Sequence, residues 1–274
     1  MQKLKNRSKL LRCTFNDFTM KQTLQKLIAV IFVFFIAKEV NAENGKCSSA
    51  TPLIVGVQSI AYSPHYDFVS DKQEGYFNDL IKWLEEKTQC TFLIRPLPIK
   101  RLKLSLRYQH IDFMYPDNPT WNKTFDIDRY YSVPVTTALG GTMVKQSDEN
   151  TKLHAFNRLA FPRGFTPVAW YQLEDGAHIK FTEVSSVLAT LKMVLTNRAD
   201  GADIEYNVAN YLATKHKLEP LVLAKNLPFT PTHFHLSTYR QTTIMQQINQ
   251  LISANPEIIS KLKNKHGIIE KPPF

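Results

Sequence analysis

Apolar positions along this chain fall into short unbroken runs that alternate with stretches of helical spacing. Leu53 to Val57 reads LIVGV, a run of strand length. A polar and aromatic loop, SIAYSPHYDF, follows it. In EGYFNDLIKWLEE, Phe77, Leu80, Ile81 and Leu84 then recur at i, i+3, i+4 and i+7, which is one face of a helix. TFLIR (91–95) predicts a second strand, Pro98 opens a helix carrying Ile99, Leu102 and Leu106 on one side, and IDFMY (111–115) predicts a third strand. After a turn-rich segment the same alternation resumes. Strands are expected at LGGTMVK (139–145), RLAF (158–161) and HIKF (178–181), then a helix through Val184, Val187, Leu188, Leu191 and Leu195. GADI (201–204) leads into a helix EYNVANYLATK. LEPLVLA and THFHLS read as strands, and two helices are expected around Ile244 to Leu251 and Pro256 to Lys263. Short apolar strands alternating with amphipathic helices imply parallel pairing and an α/β fold.

Two such units occupy the chain with no Gly/Ser linker between them. Crossings are expected near Ser132 to Leu139 and near Ala224 to Pro231, so that the last segment returns to the first unit. That divides the chain into lobe 1 (43–137 and 229–274) and lobe 2 (138–228), joined by two crossing segments. Lobes joined in this way make a hinged cleft, a common place for a ligand.

Charge changes the picture only after the N-terminus is set aside. Met20 opens a Lys-bearing stretch (Lys21, Lys26), the apolar run Leu27 to Ala37 follows, and Val40-Asn41-Ala42 ends in a small residue. This is the pattern of an export signal cleaved after Ala42, with Met20 as a candidate start, and the run is short for a membrane span. The chain carries a formal charge of +10, but residues 1–42 hold eight of its 34 Lys/Arg and two of its 24 Asp/Glu. The remainder is 26 against 22, about +4, and it has no basic block, so nucleic acid is not an expected partner. Cys47 and Cys90 are the two cysteines outside the leader, an even number in an exported chain, which favours a disulfide over two free thiols. His233 and His235 alternate on one strand without an acidic or Cys partner to complete a metal set, and no cofactor is expected.

Four stretches together resemble the bacterial extracellular solute-binding proteins of family 3, the type 2 periplasmic binding proteins of polar amino acid uptake. They are LIVGV with its aromatic loop, EGYFNDLIKWL, LPIKRLKLSLRYQHIDFMY with its P-x-x-R-x-x-x-x-L core, and LTNRADGADIEYNVANYL. The resemblance covers Leu53 to His266. It implies two mixed sheets flanked by helices, closing like a flytrap on a small polar or amino-acid-like solute. The chain would act in the periplasm as a monomer and pass its ligand to a membrane permease or sensor.

In such proteins an acidic side chain holds the ligand ammonium, and Glu205 falls at that position, with Asp203 in near register. An Arg commonly holds the carboxylate, where this chain offers Lys123. Arg163, Gly164 and Thr166 stand where the family has a Gly-[ST]-[ST] turn, with Phe165 replacing a small hydroxyl residue, and Thr166-Pro167 reads as a helix start. Tyr62, Tyr115, Arg101, Asp117 and Asn118 complete the expected ligand wall, whereas Asp112 and Asp200 read as structural. Two rival readings stay open. One is a periplasmic dehydratase-like enzyme using Glu205 and Lys123 for proton transfer. The other is a sensory or scaffold protein whose cleft has decayed.

Overall fold

The computed structural model describes residue 47 and residues 51–70, 74–122, 128–173 and 178–274. The expected leader and Lys123 lie outside the described residues. Strand β1 (Leu53–Gln58) is followed by a hairpin of two short strands, β2 (Ala61–Tyr62) and β3 (Tyr66–Asp67). Helix α1 (Tyr76–Thr88), β4 (Phe92–Leu97), α2 (Ile99–Arg107) and β5 (Phe113–Asp117) come next. β1 pairs in parallel with both β4 and β5, as expected of strands joined by helical crossovers. Phe77, Leu80, Ile81 and Leu84 are buried along α1, the face marked by their spacing. Burying each such side chain contributes roughly 1.5–3 kcal/mol.

The other half holds β7 (Thr136–Val144), β8 (Arg158–Pro162), α3 (Val168–Tyr171), β9 (Lys180–Val184), α4 (Val187–Leu195), β10 (Gly201–Glu205) and α5 (Tyr206–His216). β8 pairs in parallel with β9 and β10, while β7 runs antiparallel to β10. The expected strand in LEPLVLA contracts to β11 (Val222–Leu223) on β7, and a two-residue strand β6 (Tyr130–Tyr131) was not foreseen.

The two halves share one strand. β12 (Phe229–Thr238) pairs with β7 from Phe229 to Phe234 and with β5 at His235 and Ser237. The order is therefore β4-β1-β5-β12-β7-β10-β8-β9, with β6 on β12. β12 changes partner between Phe234 and His235, beyond the expected crossing at Ala224 to Pro231. Helices α6 (Thr242–Ala254) and α7 (Pro256–Lys265) then return to pack on α1. The result is a two-lobed α/β fold whose halves meet along β12.

Several charged groups fix strand ends. Asp112 accepts from the Ile54 N–H and from Gln241, and Arg240 lies 3.2 Å away. Asp200 accepts from the Asn157 and Arg158 backbones and from the Arg158 guanidinium; burial opposes its ionised form, but these bonds prevail and lower its pKa. Cys47 and Cys90 form a disulfide, Cα atoms 5.0 Å apart, across 43 positions of sequence. Closing a loop of that length restricts the unfolded chain, so reduction should lower stability by about 4 kcal/mol. Urea unfolding with and without a thiol reductant measures this, and coincident midpoints would refute it.

Candidate functional site

The turn of the β2–β3 hairpin, Ser63 to His65, faces the C-terminal end of β10. It is pinned at both ends: the His65 N–H donates to the Tyr62 carbonyl (3.0 Å), and the Phe77 N–H donates to the His65 carbonyl (2.9 Å). Gly75 makes the second anchorage possible. Its φ is +124°, and a Cβ there would stand 2.6 Å from the Tyr66 Cα, so glycine is required. Tyr62 stacks on Phe165 of the opposite half with ring centroids 5.7 Å apart, and Gly164 lies against Ile99. The halves thus touch through Tyr62, His65 and Ile99 on one side and Phe165, Gly164 and Glu205 on the other.

Glu205 is the N-cap of α5, and only 2% of it is exposed. Oε2 accepts from the Val208 N–H (2.8 Å), and Oε1 accepts from the Leu139 N–H (2.9 Å) and from Asn207 Nδ2 (2.7 Å). His65 Nε2 lies 3.2 Å from Oε2, at ion-pair distance. Burial alone would raise the Glu205 pKa, but His65 and the backbone donors outweigh it and lower it. The chain itself therefore satisfies the acid expected to hold a ligand ammonium.

Asp203 is different. Strand alternation puts it on the same face as Glu205, between buried Ala202 and Ile204. Its carboxylate has no hydrogen-bond or ion-pair partner among the described residues, and burial pushes its pKa up to about 7. Tyr62 feels both acids: burial first, then Glu205 and Asp203, raise the pKa of its phenol. A partly buried carboxylate facing an aromatic ring suits a cation, which gains from both the charge and the ring face.

The other expected ligand residues disperse. Asp117 is fully buried and pairs with Arg129 (2.7 Å) while accepting from Ser237 Oγ (2.6 Å), so it braces β5 against β12 instead of facing the cleft. Asn118 donates to the His233 carbonyl and accepts from Thr120, which closes a turn. Arg101 is exposed on α2. Arg163 is 72% exposed and lies 3.5 Å from Glu183. Thr166 caps nothing: Pro167 holds the N-cap of α3, a four-residue helix with no side-chain cap. Trp170 of that helix instead enters the core, where its Nε1–H donates to Thr142 Oγ1 (3.1 Å). Tyr115 is fully buried, lies parallel to Phe77 at 3.5 Å, and its hydroxyl has no partner among the described residues. His233 and His235 bond to Thr137 Oγ1 and the Ser132 carbonyl, and no metal-binding cluster occurs among the described residues.

The sequence therefore placed Tyr62, Gly164 and Glu205 at the contact between halves, with Asp203 noted only as a neighbour in register. It missed His65, whose loop was marked as aromatic but whose imidazole carried no local signal.

No family model matches the chain, and no curated protein matches it. Solved structures do. The periplasmic VFT2 domain of Bordetella pertussis BvgS is 18% identical over 78% of this chain and 92% of that one, with a TM-score of 0.61. An arginine 3rd transport system periplasmic binding protein from Legionella pneumophila is 14% identical over 78% and 99%, with a TM-score of 0.61. The ancestral amino acid-binding protein AncCDT-1, a precursor of cyclohexadienyl dehydratase, is 19% identical over 78% and 95%, with a TM-score of 0.62. Identities this low speak to architecture alone, and at that level the chain has the two-lobed fold of the periplasmic amino-acid-binding proteins.

Proposed function

We propose that this chain is a periplasmic solute-binding protein that captures a small polar or amino-acid-like ligand between its lobes and presents it to a membrane permease or sensor. The lobes divide at residues 43–137 with 229–274 and at 138–228, behind a leader removed after Ala42. The observation that carries this reading is the unpartnered Asp203 carboxylate beside Tyr62 at the meeting of the halves. The ligand's cationic group sits on Asp203, and its apolar part lies against Tyr62 and Phe165. The similarity to a transport-system binding protein and to a histidine kinase sensor domain supports both destinations. Among the described residues no helix is long and apolar enough to cross a membrane.

Thermal shift and calorimetry against monoamines, diamines, amino acids and small carboxylic acids test it. Amine-bearing ligands should bind wild type, and Asp203→Asn should weaken them about a hundredfold, the scale of a lost charge-assisted contact. Silence across the whole panel would refute the reading. A second reading, enzymatic, draws on Asp203 titrating near neutrality, where a carboxyl transfers protons well. Turnover of prephenate or arogenate that disappears in Asp203→Asn would favour it.

A further inference from the structure

A carboxylate offers about four acceptor positions. Glu205 spends three of them inside its own half, on Leu139, Val208 and Asn207, and the fourth faces the opposite half. His65 stands there, fully buried, its ring stacked on Tyr62 at 5.9 Å and edge-on to Phe234 at 5.8 Å. Both ring nitrogens lack an aligned hydrogen-bond partner, so Glu205 is the one polar group the ring addresses among the described residues. The turn that carries the ring is fixed by backbone bonds to Tyr62 and to Phe77 at the start of α1, which keeps it beside Glu205 while the halves are in contact.

We infer that His65 is a specificity-determining residue: standing 3.2 Å from Oε2, it covers the last acceptor position of Glu205 from within the chain, so that the closed cleft offers a ligand one carboxylate instead of two. This rests on the proposed binding of a cation at Asp203 and names the class of ligand that follows from it. A monocation gains everything the closed cleft can give. A second ammonium on the same ligand finds Glu205 taken, and reaching it means displacing His65 and separating the halves. The same contact holds the halves together when no solute is present.

The test uses disulfide-intact protein with wild-type His65, His65→Phe and His65→Gln. Phe keeps the ring contacts with Tyr62 and Phe234 and removes the donor, whereas Gln keeps a donor. Calorimetry compares butylamine with 1,4-diaminobutane, and small-angle scattering compares the ligand-free proteins. Wild type should bind the two amines with affinities within about threefold, whereas His65→Phe should favour the diamine by about tenfold or more, as one opened charge-assisted contact allows. The ligand-free Phe variant should also have a larger radius of gyration than wild type, and Gln should return both readouts towards wild type.

An equal diamine preference in wild type and His65→Phe overturns the inference, as does a Gln variant that behaves like Phe. If neither amine binds any of the proteins, the Asp203 reading has failed, and scattering alone then decides for His65: expansion of the Phe variant upholds its bridging role, and unchanged dimensions overturn it. Should His65→Phe not fold, His65→Leu takes its place with the same expectations.

Discussion

Asp117→Ala is expected to lower the unfolding free energy by about 3–5 kcal/mol, the usual cost of leaving a buried charge without its partner. The pair is well enclosed: 2% of the Arg129 side chain and none of the Asp117 side chain is exposed. Arg129 also bonds to the Tyr239 hydroxyl and lies 5.1 Å from that ring. Asp117 binds Ser237 Oγ as well, so truncation releases β5 from β12 beside the point where β12 changes partner. Urea unfolding gives the number directly. The companion double variant Asp117→Leu with Arg129→Met should recover much of the loss, because no charge is then stranded. If the single variant loses less than about 1 kcal/mol, the pair is not the brace described here.

Asp203→Asn should do the opposite to stability while weakening binding about a hundredfold. In the folded protein burial raises Asp203 from the ordinary 3.8 to about 7, so the native state keeps a proton that the unfolded chain releases across that interval. Stability contributed by the neutral form is complete below pH 4 and lost as pH climbs towards 7, by at most about 4 kcal/mol at 1.36 kcal/mol per unit. Asn does not titrate. The variant should therefore gain on wild type between pH 4 and 7 and hold a constant advantage above it. Unfolding at pH 4, 5.5 and 8 reads this, and a gap that ignores pH would show that Asp203 is solvated. A cation seated on Asp203 must ionise it, so binding near pH 6 should release a proton. Calorimetry in two buffers of different ionisation enthalpy detects that proton. A residue that costs stability in the empty protein and is needed when the protein is filled is one retained for its ligand.

The scaffold was legible because strands such as β1 and β5 are largely buried apolar runs and the longer helices show a stripe. Phe77, Leu80, Ile81 and Leu84 are enough to place α1. What stayed hidden was short or long-range. The hairpin β2–β3 and the strand β6 are two-residue pairings with no periodicity to display. LEPLVLA contracted because its ladder on β7 pairs Val222 and Leu223 alone among its seven residues. Asp117 looked like a ligand residue because nothing local announces that Arg129 folds back onto it. Glu205 and Asp203 share a strand face and a charge. Their difference is made by Leu139 and His65, far away in sequence, and by the capping of α5. Thr166 had the chemistry of a cap, yet Pro167 holds the N-cap of α3, and Trp170 of that helix enters the core.

The shared strand β12 also sets an order of events for the growing chain. Lobe 1 emerges first, but its sheet lacks β12 until residues 235–238 have followed the whole of the other half. The β7–β10–β8–β9 portion can pair its own strands earlier, so the part made first is the part finished last. Until then the β5 edge, with Asp117, stands open to unsuitable neighbours. A chain kept from folding until its last strand is available avoids that exposure, and chaperone dependence is the physiological trace such an architecture should leave.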